Sequence, residues 1–222
     1  MKGLWNSAKW ELAESGLLNW KTLLFLGFWV IYDLASARSW GSVAAMGHLS
    51  FHLVTFAILA VYQGLRWPFT GAFDLERTSD RPAWQSLLGR PLAWAAVMAV
   101  GSALQQASLW LHLDRFRGIY PQIFSDGAKR VAQLESWTGG GAFLTVLTLG
   151  VGLYVLSLTV TLCCKSGKKR HRTTLSAAVI LTILVGFLLW FFLRSLPLGL
   201  VGLGCILVGL LVSTWLLARK VE

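Results

Sequence analysis

Charge is what this sequence has least of. Only 14% of its 222 residues are Asp, Glu, Lys or Arg, while 55% are hydrophobic, and the mean hydropathy is +0.61. A soluble domain covers its surface with about 25% charged residues, so much of this chain is expected to face lipid. Acidic residues are scarcer still, 10 against 20 Lys and Arg, which leaves a net charge of +10. Such an excess suits nucleic acid when it is spread over the solvated face of a binding module. Here the basic residues fall in short clusters between apolar runs, a pattern of membrane topology, and nucleic acid is excluded as a partner.

Cysteine is also sparse. Cys163 and Cys164 are adjacent and Cys205 stands alone, which gives neither a CxxC pair nor a zinc knuckle. All three lie within or at the ends of apolar runs and read as small packing residues. Catalytic signatures are missing too: HExxH, GxSxG and GxxxxGK[ST] do not occur, and no span holds paired acids. The chain is therefore expected to be no enzyme by itself, to hold no cofactor, and to bind no ATP through a P-loop. The first 21 residues mix polar and aromatic side chains without the pattern of a cleavable signal peptide.

What the sequence does have is long apolar runs. Crossing about 30 Å of hydrocarbon takes roughly 20 residues of helix, and six segments qualify: 22–42, 44–64, 92–113, 142–163, 175–193 and 198–217. The fold class expected is an all-α integral membrane protein, a six-transmembrane-helix bundle forming a single domain over 1–222. An N-terminal interfacial amphipathic helix occupies 1–21. Residues 65–91 form a cytoplasmic loop and 114–140 an outer loop. The first span is the weakest, because Asp33 and Arg38 interrupt it.

Basic residues orient the bundle. With the N-terminus inside, the cytoplasm receives Lys2, Lys9 and Lys21, then Arg66, Arg77, Arg81 and Arg90. It also receives Lys165, Lys168, Lys169, Arg170 and Arg172, and finally Arg219 and Lys220. Those are 14 of the 20; Arg38, Arg115, Arg117, Lys129, Arg130 and Arg194 remain outside. The asymmetry puts both termini in the cytoplasm of a multi-pass protein of the plasma membrane. The KSGKKRHR turn, 165–172, is its strongest anchor, close to anionic lipid.

Outside the hydrocarbon, Met1, Trp5, Ala8 and Leu12 recur at helical spacing, with Lys2, Lys9, Glu11 and Glu14 largely elsewhere. Pro82 sits in the first turn of a short helix capped by Ser79 or Asp80. On the outer side DGAKRVAQLESW reads as a surface helix carrying Val131, Leu134 and Trp137. Two small-residue stripes, Gly141–Thr145–Thr148–Gly152 and Gly202–Cys205–Gly209–Ser213, suit close helix packing in lipid. They serve either an intramolecular contact or a dimer seam.

Polar groups inside spans are functional candidates by default. Asp33 pairs with Arg38 or lines a cavity. Gln105 and Gln106, at mid-depth in the third span, suit interhelical hydrogen bonds or a translocation path. His48 and His52 share a helix face, and His112 stands at the same depth. Three imidazoles at one level raise a haem or metal site as an alternative. No ligand set of the usual spacing is complete.

The order of these pieces resembles the permease subunit of type-2 ABC exporters. KWELAES leads into a first span, two spans form a hairpin, and the loop that follows ends in RPAWQSLLGRPLAWAAV. The resemblance implies a connecting helix over Trp5–Glu14, with Trp5, Glu11 and Glu14, and a coupling helix over about Pro82–Leu88. It implies a separate ABC ATPase carrying ATP and Mg, and a second permease copy or paralogue in a dimer. Trp84, Leu87 and Leu88 would fill a cleft in the ATPase, with Arg81 and Arg90 on the rim. The same loop composition also suits an amphipathic segment resting on lipid. One departure stands out: the family usually has re-entrant outer helices between spans five and six, where this chain has only Arg194, Ser195 and Leu196. The function expected is ATP-driven export of a peptide, lipid or drug-like substrate by alternating access. The other classes are an accessory subunit of a membrane complex and a His-liganded haem or metal protein.

Overall fold

A computed structural model of the chain describes residues 2–14, 57–66, 83–136, 138–165 and 197–218, with isolated positions at 20, 24, 27, 28, 30–32, 35, 55 and 68. These residues are helical apart from short turns, and no strand occurs among them. The helices are α1 (Lys2–Glu14), α2 (Ala83–Ile123), α3 (Gly127–Ser136), α4 (Gly140–Lys165) and α5 (Leu198–Ala218), together with an unlabelled helical stretch over 57–66. Three stretches are long and apolar enough to cross a membrane: Leu87–Ile123 in α2, Gly140–Cys164 in α4 and Leu198–Leu217 in α5. Of the six expected spans, 175–193 lies outside the described residues. The runs 22–42 and 44–64 lie largely outside them.

Span three differs from expectation in length. A short helix over about Pro82–Leu88, separate from a span at 92–113, was expected; instead α2 runs unbroken for 41 residues. At about 1.5 Å per residue it is roughly 60 Å long, twice the hydrocarbon thickness. Pro91 has no N–H for the Leu87 carbonyl, a defect that costs about 3 kcal/mol in a helix interior. Burial outweighs it: Leu87 and Arg90 before the proline, and Ala93 and Trp94 after it, are all buried. The helix is held on both sides of its weakest point.

At its other end α2 continues ten residues past the expected boundary, and α3 folds back on it. Phe116, Tyr120 and Phe124 form an aromatic ladder, with centroids 5.1 and 5.6 Å apart, and Leu109 and Val131 complete the cluster. Arg130 lies 4.4 Å over the Phe124 ring. Exposed ion pairs link Arg117 to Asp114 and Glu135, and Arg130 to Asp126. The Arg130 hydrogen bond holds the Asp126 carboxyl below its ordinary range. The expected outer excursion is thus an ordered hairpin. Val131, expected on a surface helix, is buried in it; the Leu134 side chain and Trp137 lie outside the described residues.

The small-residue stripes meet each other. A Cβ on Gly152 would stand 2.9 Å from the Gly202 carbonyl oxygen, and one on Gly202 would stand 2.7 Å from that of Thr148. Only glycine lets the two backbones come this close. Thr159 then donates across the interface to the Gly209 carbonyl at 3.0 Å and pairs with the Ser213 hydroxyl at 2.9 Å. Contacts ascend together, from Thr145 with Gly199 to Thr159 with Ser213, so α4 and α5 are parallel. Against α2 the order reverses: Trp94 stacks on Tyr154 and Met98 covers Gly150, which makes α2 and α4 antiparallel. The main core fills the space among them with Leu87, Trp94, Met98, Tyr154, Val155 and Leu158, and with Ala60 from 57–66. Leu203, Leu207, Leu211 and Trp215 of α5 point outward, where a membrane helix meets lipid.

Candidate functional site

The buried charges of the described residues gather at one end of the bundle, where α2 begins and α4 and α5 finish. Gly89 makes this junction possible. A Cβ there would lie 2.6 Å from the Leu4 carbonyl oxygen and 2.7 Å from the Ser7 Cβ, so α1 crosses α2 backbone to backbone. The approach brings Glu11 of α1 onto Arg90 of α2 in a buried ion pair. Glu11 presents its second carboxylate oxygen to Tyr154 of α4, whose hydroxyl donates at 3.2 Å. Trp94 stacks on Tyr154, with centroids 5.7 Å apart and planes 22° from parallel. Gly64, from the 57–66 helix, packs against the Tyr154 carbonyl and Ser157 on the far side. One carboxylate therefore ties together three helices that are distant in sequence.

Burial explains the choice of residues. Arg90 is fully buried and Glu11 only 4% exposed. Two charges removed from water to this extent persist only when they neutralise each other and their remaining hydrogen-bonding positions are filled. Tyr154 fills one of those positions. The result is a clamp between helices, a matched ion pair with a phenol on the carboxylate.

Helix α1 is turned differently from what its apolar spacing suggested. Its buried side carries Ser7, Ala8 and Glu11, whereas Trp5 and Trp10 are 71% and 60% exposed. Packing onto Arg90 decides the rotation, so the aromatic residues flank the outward face with Lys9 between them. Trp5 is therefore clear of α2, Glu11 is the residue that docks, and the Glu14 side chain lies outside the described residues.

The expected partner-binding set is split by the structure. Trp84 remains 46% exposed and Leu88 partly buried. Leu87 is in the protein's own core and Arg90 is in the clamp. Leu87 and Arg90, expected at the cleft and rim of a partner, are both buried within this chain. Arg81 lies outside the described residues, as do Asp33, His48, His52 and the Gln105 side chain. Gln106 is partly buried, with its Oε1 enclosed and without a hydrogen-bond partner. His112 is fully buried, its Nδ1 2.7 Å from the Ser108 carbonyl oxygen and its ring beside Phe116. Among the described residues no group of three or more His, Cys, Asp or Glu is placed to hold a metal ion.

Tyr154 and Trp94 were missed by sequence reasoning. Tyr154 is the one phenol in the fourth apolar run, and a hydroxyl there needs a partner. That signal was available, but not the identity of the partner. No protein-family model, curated protein or solved structure matches this chain.

Proposed function

We propose that the chain is the transmembrane permease subunit of an ATP-driven exporter of the type-2 ABC kind, paired with a separate ATPase. The observation that carries this reading is the Glu11–Arg90–Tyr154 clamp. It joins α1 to the first turns of a helix roughly 60 Å long, so a force applied to α1 or to the exposed Trp84 travels along α2 to the opposite hairpin. ATP-driven closure of two ATPases supplies that force, and rigid spans pass it to an outer gate.

Helix direction supports six spans with both termini in the cytoplasm. Two parallel membrane helices, α4 and α5, require the chain to recross the bilayer between them, and the sequence of that interval holds the apolar run 175–193. Arg66, Arg90 and Lys165 then fall at the end shared with α1, as the positive-inside rule asks. The exposed Trp5 and Trp10 suit an interfacial helix, where amphipathic rings sit among headgroups. The outward leucines of α5 leave a face for lipid or for a second permease copy.

A second reading, an accessory packing subunit, is favoured by one observation. Leu87 and Arg90 face inward, which leaves a partner only Trp84, Leu88 and the preceding loop. A cysteine-directed crosslink separates the two readings. Trp84→Cys carrying a bifunctional reagent, in native membranes, is expected to capture a protein that binds ATP, whereas the outward α5 position Leu207→Cys is not. Capture of no nucleotide-binding protein from Trp84→Cys favours the accessory subunit.

A further inference from the structure

The inner face of α2 carries a row at four-residue steps: Arg90, Trp94, Met98, Ser102 and Gln106. Arg90 belongs to the clamp and Met98 packs on Gly150. The other three hold polar atoms that are buried without a hydrogen-bond partner: the Trp94 indole nitrogen, the Ser102 hydroxyl and the Gln106 carbonyl oxygen. Trp94 is 1% and Ser102 2% exposed, so both lie inside the bundle rather than on its lipid side.

Several other hydroxyls of the described helices are silenced by their own backbone, although that of Ser7 in α1 is not. Ser157 donates to the Tyr154 carbonyl, Thr161 to that of Ser157, and Thr145, Thr148 and Thr214 to carbonyls one turn back, all at 2.7 to 2.8 Å. Ser102 does not do this. Nor does a neighbour answer it from α4. The antiparallel register set by Trp94–Tyr154 and Met98–Gly150 brings Ser102 level with the turn Thr145–Thr148, whose hydroxyls are committed to backbone.

We propose that this face of α2 lines an internal site for a neutral molecule that both donates and accepts hydrogen bonds. The chemistry follows from Ser102 and Gln106, the two groups close enough to share a ligand: the Gln106 oxygen only accepts, and a serine hydroxyl both donates and accepts. No Asp, Glu, Lys or Arg occurs in α2 between Pro91 and Leu113, in α4 between Gly140 and Cys164, or in α5. A charged ligand beside Ser102 and Gln106 would find no counter-ion within these stretches. Ser102 and Gln106 stand one turn apart, about 6 Å along the axis, a span that one small hydroxyl- or amide-bearing molecule, or two waters, can bridge. The site owes nothing to a partner ATPase, and it stands or falls separately from the exporter reading.

Thiol accessibility tests it, because a cysteine reacts through its thiolate, which needs water. The full chain, with Cys163, Cys164 and Cys205 replaced by serine or alanine, is placed in proteoliposomes with one new cysteine at a time. Ser102→Cys is compared with Val100→Cys, a lipid-side position 61% exposed; Gln106→Cys is compared with Ala107→Cys, also on the outward side. A small water-soluble thiosulfonate is expected to modify the inner member of each pair at least about tenfold faster. Slowing by added glycerol shows that a hydroxylated solute enters the site; an unchanged rate shows that water fills it, and either agrees with the proposal. Inner cysteines reacting no faster than their outward neighbours would overturn it, and the second pair decides if Ser102→Cys does not fold.

Discussion

Glu11 and Arg90 are 79 positions apart in the chain, yet their charged groups meet where neither side chain is more than 5% exposed. Removing one partner strands the other in the interior, at a cost of about 3–5 kcal/mol. Glu11→Gln and Arg90→Met are therefore each expected to lower the unfolding temperature in detergent strongly and to release α1 to proteolysis. The double variant Glu11→Leu with Arg90→Met should recover most of the loss. A double variant no more stable than the singles would mean that the pair does not interact as a unit.

The contact between Gly152 and Gly202 makes a sharper steric claim. Gly152→Val drives two methyl groups against the Gly202 backbone and is expected to cost about 1–3 kcal/mol by overpacking. Thr159→Val, which removes the hydroxyl shared by Gly209 and Ser213, should cost about 0.6 kcal/mol, a usual value between membrane helices. Leu207→Ala on the outward face should change little. Thermal unfolding of the three variants in one detergent gives the ranking.

Ser7 sits in the α1–α2 crossing with a buried hydroxyl that has no hydrogen-bond partner. Ser7→Ala removes an unsatisfied polar atom without opening a cavity of any size. It is expected to leave stability unchanged or raise it slightly. Gly89→Ala, one contact away, should destabilise, because its methyl meets the Leu4 carbonyl.

Asp126 provides a pH readout of the α2–α3 hairpin. Its hydrogen bond from Arg130 lowers its pKa below the ordinary 3.8, so the carboxylate is favoured in the folded state. The stabilising contribution is present above the unfolded value and is lost as pH falls through the lower folded value. Carbon-13 NMR of the carboxyl should show a midpoint below 3.8. In Arg130→Gln that midpoint should move upward.

The helical membrane character of the chain was legible because lipid imposes it: sparse charge and runs of about 20 apolar residues leave few alternatives. Close packing by the stripes of α4 and α5 was legible for a similar reason, since small residues at three- and four-residue steps let helices approach in lipid; that the two stripes meet each other rather than a second copy was not. The unbroken course of α2 was not. Pro91 signals a helix end locally, and only the burial of Leu87, Arg90 and Trp94 around it overrides that signal. The clamp was hidden for another reason. Arg90 beside a loop reads as a surface cation until Glu11, in a helix with an aromatic outer face, is seen to turn inward. Pairings of this kind depend on which faces meet across long sequence separations, and periodicity within one helix carries no record of them.

The claim that this bundle is the membrane half of an ATP-driven exporter is tested most directly by purifying the full tagged chain from native membranes in a mild detergent and assaying ATP hydrolysis. An ABC ATPase is expected to accompany it in stoichiometric amount. Hydrolysis should follow the chain through size exclusion, and both should fall on Trp84→Ala while the permease itself stays folded. A wild-type chain that elutes intact, with its clamp preserved and no ATPase bound, would contradict the account.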